Sequence, residues 1–110
     1  VTGFPLTVRR LVLARANGMC ERCGQAAHNF ELHHRRPRGM GGSKAVDTNT
    51  ASNALALCNW CHRWIEANRD NALKGGWLVP QRLNPAHVVV LRAGRWVHLN
   101  DDGTINTKGF

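Results

Sequence analysis

Two Cys-X-X-Cys pairs, Cys20/Cys23 and Cys58/Cys61, bracket the doublet His33-His34, and the second pair runs directly into His62. Two thiolates from one tight turn, closed by a sequence-distant second pair, make the tetrahedral sulfur set that suits structural zinc. Two disulfides are the competing use of four cysteines, but they usually accompany export. Val1-Thr2-Gly3-Phe4-Pro5 has no basic region followed by an apolar run, so the expectation is a zinc clamp in an intracellular protein. A clamp of this kind holds neighbouring histidines still. Rigid imidazoles suit a second, open metal site where a phosphate and a water can bind, which points to metal-dependent phosphodiester chemistry.

Elements must present these groups. Thr7 to Ala16 carries Val8, Leu11, Val12 and Leu13 among Arg9, Arg10 and Arg15, which predicts a helix over 7–18 with Thr7 as its cap and Gly18 at its end. Phe30 to His34 reads as a short strand, Pro37 discourages its continuation, and Gly39-Met40-Gly41-Gly42-Ser43 lets the chain turn back. Ala54 to Leu57 then reads as the returning strand, and Asn59 to about Asn68 as a helix carrying Cys61, His62, Trp64 and Ile65. Trp60 and Trp64, four residues apart, are expected to pack against the hairpin rather than stack on bases. From Gly76 onward the chain is β-prone: Trp77-Leu78-Val79, Val88 to Leu91, a turn at Ala93-Gly94, and Arg95 to Leu99. The expectation is one α+β domain over 1–110, with a core over 19–70 and a small antiparallel β appendage over 76–106.

The chain of 110 residues has a formal charge of +8, and twelve of its fifteen basic residues are arginines. A core this small often needs a staple such as a metal. Four zinc-bound thiolates lower the charge to about +6, and a divalent ion at the histidines would restore about +8. Arginine forks suit phosphates, so the expected partner is nucleic acid. No apolar stretch approaches the roughly 20 residues needed to span a bilayer.

Leu32-His33-His34-Arg35-Arg36-Pro37-Arg38-Gly39-Met40-Gly41-Gly42, then Ser52-Asn53-Ala54-Leu55-Ala56-Leu57-Cys58, then Cys61-His62, resembles the HNH endonuclease motif in its zinc-stapled, treble-clef-like form. The resemblance covers roughly residues 19–66 and is nearest to small endonucleases encoded by bacteriophages. It implies a ββα-metal fold, a hairpin laid on a helix that grips one divalent cation (Mg²⁺, Mn²⁺, Ni²⁺ or Zn²⁺), and hydrolysis of DNA to 5′-phosphate and 3′-hydroxyl ends. By the same resemblance His33 and His62 fall at the metal-ligand positions, His34 at the general base, and Asn53 at the middle letter of the motif, which in many members fixes the loop that orients the base, the role expected here, and in some nuclease relatives contacts the metal directly. Cys20, Cys23, Cys58 and Cys61 fall at the structural zinc. A phage setting implies the bacterial cytoplasm and a packaging role beside terminase or portal proteins.

The residues support the same division of labour. Neighbours on a strand point to opposite sides, so His33 and His34 are expected to split into ligand and base. An imidazole with an ordinary pKa of about 6.5 can draw a proton from an attacking water near neutral pH. Arg35, Arg36 and Arg38 follow the doublet and Arg63 adjoins His62, so these four are the expected contacts to the DNA backbone. His28, His87 and His98 are read as surface or packing residues. The rival readings are a zinc module that binds nucleic acid without cutting it and a scaffold in a packaging complex. Neither requires the histidine trio. A monomer and a dimer are equally compatible with the sequence, and the absence of tyrosine excludes a tyrosine nucleophile.

Overall fold

The hairpin that carries the histidine doublet pairs β1 (Glu31–His34) with β2 (Ala54–Leu57), antiparallel, with His33 opposite Leu55 and His34 opposite Ala54. This computed structural model describes residues 3–37 and 48–107. The glycine run and Arg38 lie outside the described residues. Before the hairpin come α1 (Leu6–Ala16) and the first cysteine turn; after it come α2 (Asn59–Ala67) and α3 (Arg69–Lys74). The chain closes with an antiparallel sheet in the order β3 (Val90–Arg92), β4 (Arg95–Leu99), β5 (Ile105–Asn106). The fold is α+β, with a four-cysteine cluster able to hold zinc.

All four residues of β2 are buried, because the strand is covered on both faces. Its alternation sorts them by size. Leu55 and Leu57 join Cys20, Cys61, Ile65 and Ala72, while Ala54 and Ala56 join Phe4, Val12 and Ala16. The small face lets α1 approach closely; the large face fills the space under α2 and α3.

The N-terminal helix departs from expectation at both ends. It starts at Leu6 after Pro5, with no side-chain cap, so Thr7 lies inside the first turn. It ends at Asn17, which takes the left-handed conformation (φ 53°) one residue before Gly18. Asparagine tolerates that region better than most residues. Leu11 and Leu13 stay exposed, and the buried face is Val12, Arg15 and Ala16.

That buried arginine belongs to a polar hub. Glu21 accepts from Arg15 Nε at 2.7 Å and Nη2 at 2.8 Å, from Arg92 Nε at 2.8 Å and from the Ala56 amide at 3.0 Å. Burial pushes the Glu21 carboxyl up, but the two guanidiniums and the Ala56 amide outweigh it and hold the pKa below the usual value. One carboxylate thus ties α1, the cysteine turn, β2 and β3 together.

The segment after α3 packs into the main core. Trp77, Leu78, Val90, Val97 and Leu99 complete the same core as Leu55 and Cys61. Trp77-Leu78-Val79, expected as strand, is irregular because the Trp77 and Leu78 amides both close the end of α3 on Ala72 O, at 3.0 and 3.2 Å. Gly76 is required there: its φ is 77°, and a Cβ would stand 2.0 Å from Val89 O. The Ala93-Gly94 turn forms as expected, with φ of 48° and 87°.

Candidate metal centre and catalytic cleft

The first cysteine turn and the N-terminus of α2 bring the Sγ atoms of Cys20, Cys23, Cys58 and Cys61 within 4.8 Å of one another. Zinc–sulfur bonds of about 2.3 Å need sulfurs roughly 3.8 Å apart, so the set fits a tetrahedral zinc after slight contraction. The first turn is closed by Gly24 N–H to Cys20 O at 2.9 Å and Cys20 N–H to Gln25 O at 2.8 Å. Burial raises the Cys20 thiol, yet the surrounding backbone amides of Cys23, Cys58 and Arg22 outweigh it and bring the pKa down to about 7. Burial pushes the Cys61 thiol well up. Arg22 donates to Cys61 Sγ at 3.3 Å while its guanidinium lies 3.8 Å from the Trp64 ring centre and 4.5 Å from that of Trp77. This braces the sulfur cluster against the C-terminal part of the core.

The packing of the tryptophans follows expectation in part. Trp64 packs against the core that holds Leu55 and Leu57 of the hairpin and meets Trp77 edge-on, whereas Trp60 is 61% exposed. Trp60 lies one turn earlier on the same helix face, beyond the core's edge, where the Arg22 guanidinium approaches it, at 5.9 Å from the ring centre.

His33 and His62 come together, their ring centroids 5.2 Å apart, and Glu66 completes a trio whose potential ligand atoms all lie within 4.8 Å. Each ring is oriented by a partner. His33 Nε2 donates to Trp77 O at 2.8 Å, which leaves the Nδ1 lone pair for a metal. His62 Nδ1 donates to Glu31 Oε1 at 2.6 Å, which leaves Nε2. His33 is buried, and burial pulls its pKa down to about 4, so at neutral pH the ring is the uncharged form that ligates. Two nitrogens and a carboxylate suit a first-row divalent cation with open positions left for substrate.

His34 leaves β1 on the other side, as strand alternation requires. Its ring stacks on Phe4 at 4.0 Å, and its Nε2 faces Asn49 Oδ1 at 2.8 Å. An Nε2–H donated to that amide oxygen puts the basic lone pair on Nδ1. His33, His34, His62 and Glu66 nevertheless line one open cleft of about 320 Å³, because His34 ends the strand at the cleft's rim.

Asn53 is fully buried. Its Oδ1 accepts from the Arg36 amide at 2.7 Å, and its Nδ2 donates to Thr48 O at 2.7 Å and Arg36 O at 3.2 Å. It therefore pins the chain leaving β1 to the chain entering β2, without reaching the cleft.

Two of the expected DNA contacts are corrected. Arg35 has no exposed surface and spends its guanidinium on four carbonyls: Gly76 and Ser52 at 2.8 Å, Pro85 at 3.0 Å and Val88 at 2.8 Å. Burial lowers its pKa to about 9, still charged at neutral pH. Arg36 is 5% exposed and donates to Leu83 O at 2.9 Å. A phosphate cannot reach either group. Arg63 is exposed and lines the surface beside His62 and Glu66, whereas Arg38 lies outside the described residues. His28 and His87 are exposed and His98 is half-buried, and all three are apart from both clusters.

Glu31 and Glu66 are the functional candidates that sequence reasoning passed over. Glu31 shares a strand face with His33, two residues on, and Glu66 stands four residues after His62 on one helix face. Both spacings were visible; neither is distinctive without the partner it meets.

No family profile matches the chain, and no solved structure matches it. The chain is similar to the type IV methyl-directed restriction enzyme EcoKMcrA of Escherichia coli strain K12, at 31% identity over 71 residues. The aligned stretch is 57% of this chain and 24% of that enzyme, so the chain spans about a quarter of its relative's length.

Proposed function

We propose that this chain is an HNH-like, metal-dependent nuclease module that hydrolyses DNA phosphodiester bonds. The observation that carries it is the convergence of His33, His62 and Glu66 with His34 on one open cleft beside a four-sulfur clamp. The similarity to a restriction enzyme supports the nuclease class. Phage origin and a terminase or portal partner draw no support from it.

Cys20, Cys23, Cys58 and Cys61 would hold zinc, and His33, His62 and Glu66 a catalytic divalent ion. That ion, when bound, supplies charge stabilisation for the departing 3′ oxygen. His34 takes the proton from the water that attacks phosphorus, with the ring held by Phe4 and Asn49. Asn53 keeps the flanking chain in place so that the ring does not drift. Arg63 meets the phosphate backbone at the cleft's edge. The products carry 5′-phosphate and 3′-hydroxyl ends.

The test is supercoiled plasmid incubated with zinc-loaded protein and Mg²⁺, Mn²⁺ or Ni²⁺. Open-circle or linear DNA is expected, and His34→Ala should stay folded while losing about 10²–10⁴ in rate. Binding without cleavage under every ion would overturn the proposal in favour of a non-catalytic zinc module.

A further inference from the structure

The structure leaves the DNA with fewer basic contacts near the reacting phosphate than the sequence promised, because Arg35 and Arg36 are spent inside the fold. Arg69 lines the metal side of the cleft but is paired with Glu66 at 3.0 Å. A second cleft of about 250 Å³ opens on the other side of His34. The two clefts adjoin, sharing Leu32 and His34 as walls, and among the described residues β1 pairs only with β2.

The walls of the second cleft have a mixed chemistry. Half-buried Phe30 offers an apolar face, Phe4 lies buried at the cleft's floor, and Arg9 from α1 supplies the charge. Arg9 is exposed, and its guanidinium has no side-chain or backbone partner among the described residues. Among the described residues no carboxylate lines this cleft to neutralise it. An uncommitted guanidinium fork beside an apolar wall suits a phosphate with its sugar resting on the wall.

We infer that Arg9 holds a backbone phosphate of the bound strand on the His34 side of the reacting phosphate, with Phe30 against the adjoining sugar. The inference rests on the nuclease reading, because it takes the strand to run from the His33–His62 cleft past His34. Arg10 is the internal control: it is the next residue, also exposed, and outside the cleft's lining.

Binding of a fluorescein-labelled duplex is measured by anisotropy across a salt series, in zinc-loaded His34→Ala protein so that the DNA stays intact. Adding Arg9→Ala should weaken binding roughly tenfold and reduce the logarithmic salt slope by about 0.9, the loss of one phosphate contact. Arg9→Lys should restore the slope and part of the affinity, since a point charge replaces the fork. Arg10→Ala, which removes the same charge, should change both by much less. Equal effects of Arg9→Ala and Arg10→Ala, or an unchanged slope in Arg9→Ala, would overturn the inference. Protein that cleaves plasmid while showing no Arg9 dependence loses this phosphate site alone. Protein that never cleaves yet keeps the Arg9-specific slope loses the nuclease reading and keeps the site.

Discussion

Arg35 shows how little a residue's type says about its task until its surroundings are known. It follows the histidine doublet in a run that reads as a basic surface loop, yet it gathers four backbone carbonyls from segments as distant as Ser52 and Val88. Removing it leaves those acceptors buried without donors, each a cost of about 1–3 kcal/mol unless water enters. Arg35→Ala is therefore expected to lower unfolding stability by about 3 kcal/mol or more in urea titration. Arg35→Lys should recover little, because one ammonium cannot serve four acceptors arranged around a planar fork. Arg63→Ala, at an exposed position, should stay within about 0.5 kcal/mol of wild type. Comparable stability of the Arg35 and Arg63 variants would contradict the assignment of Arg35 as an internal tie.

At the scale of elements, a four-residue strand meeting a nine-residue helix sets the metal-binding trio. Glu31 begins the strand and His62 sits in the first turns of the helix, so their 2.6 Å contact orients the imidazole across the junction. Outer partners of this kind commonly account for 10–100-fold in metal affinity. Glu31→Ala should weaken Mn²⁺ or Ni²⁺ binding at the histidine site by about that factor in calorimetric titration, with unchanged circular dichroism. Glu31→Gln should lose less, since its amide oxygen still accepts from Nδ1. If Glu31→Ala binds the ions as wild type does, the carboxylate only decorates the surface. The hairpin, α2 and the Ala93-Gly94 turn were legible in the sequence, because strand alternation, helix spacing and turn chemistry are local. Irregular Trp77-Leu78-Val79 was not, because what its amides bond to is decided by the end of α3.

Across the whole molecule the two candidate metal centres carry different burdens. The sulfur cluster lies in the core that joins both halves of the chain, whereas the histidine cluster lines an open cleft. Structural zinc in small modules contributes roughly 10–16 kcal/mol, as large as the ~5–15 kcal/mol net stability of a domain. Chelation of zinc, or Cys58→Ser, should abolish the folded circular dichroism spectrum, while His62→Ala should leave it intact and lose ion binding. A Cys58→Ser protein with native stability would show that the core stands without the clamp.

The cysteine spacing, the histidine doublet and the arginine-rich composition were enough to anticipate a sulfur clamp beside an imidazole cluster, because short-range geometry governs how close neighbours in a chain can present ligands. Only the tertiary structure decided which arginines face solvent, which carboxylates join the histidines, and that a second cleft with Arg9 borders His34. Those outcomes depend on contacts between residues 17 to 50 positions apart, whose burial and hydrogen bonds arise when the elements pack, and no local pattern encodes them.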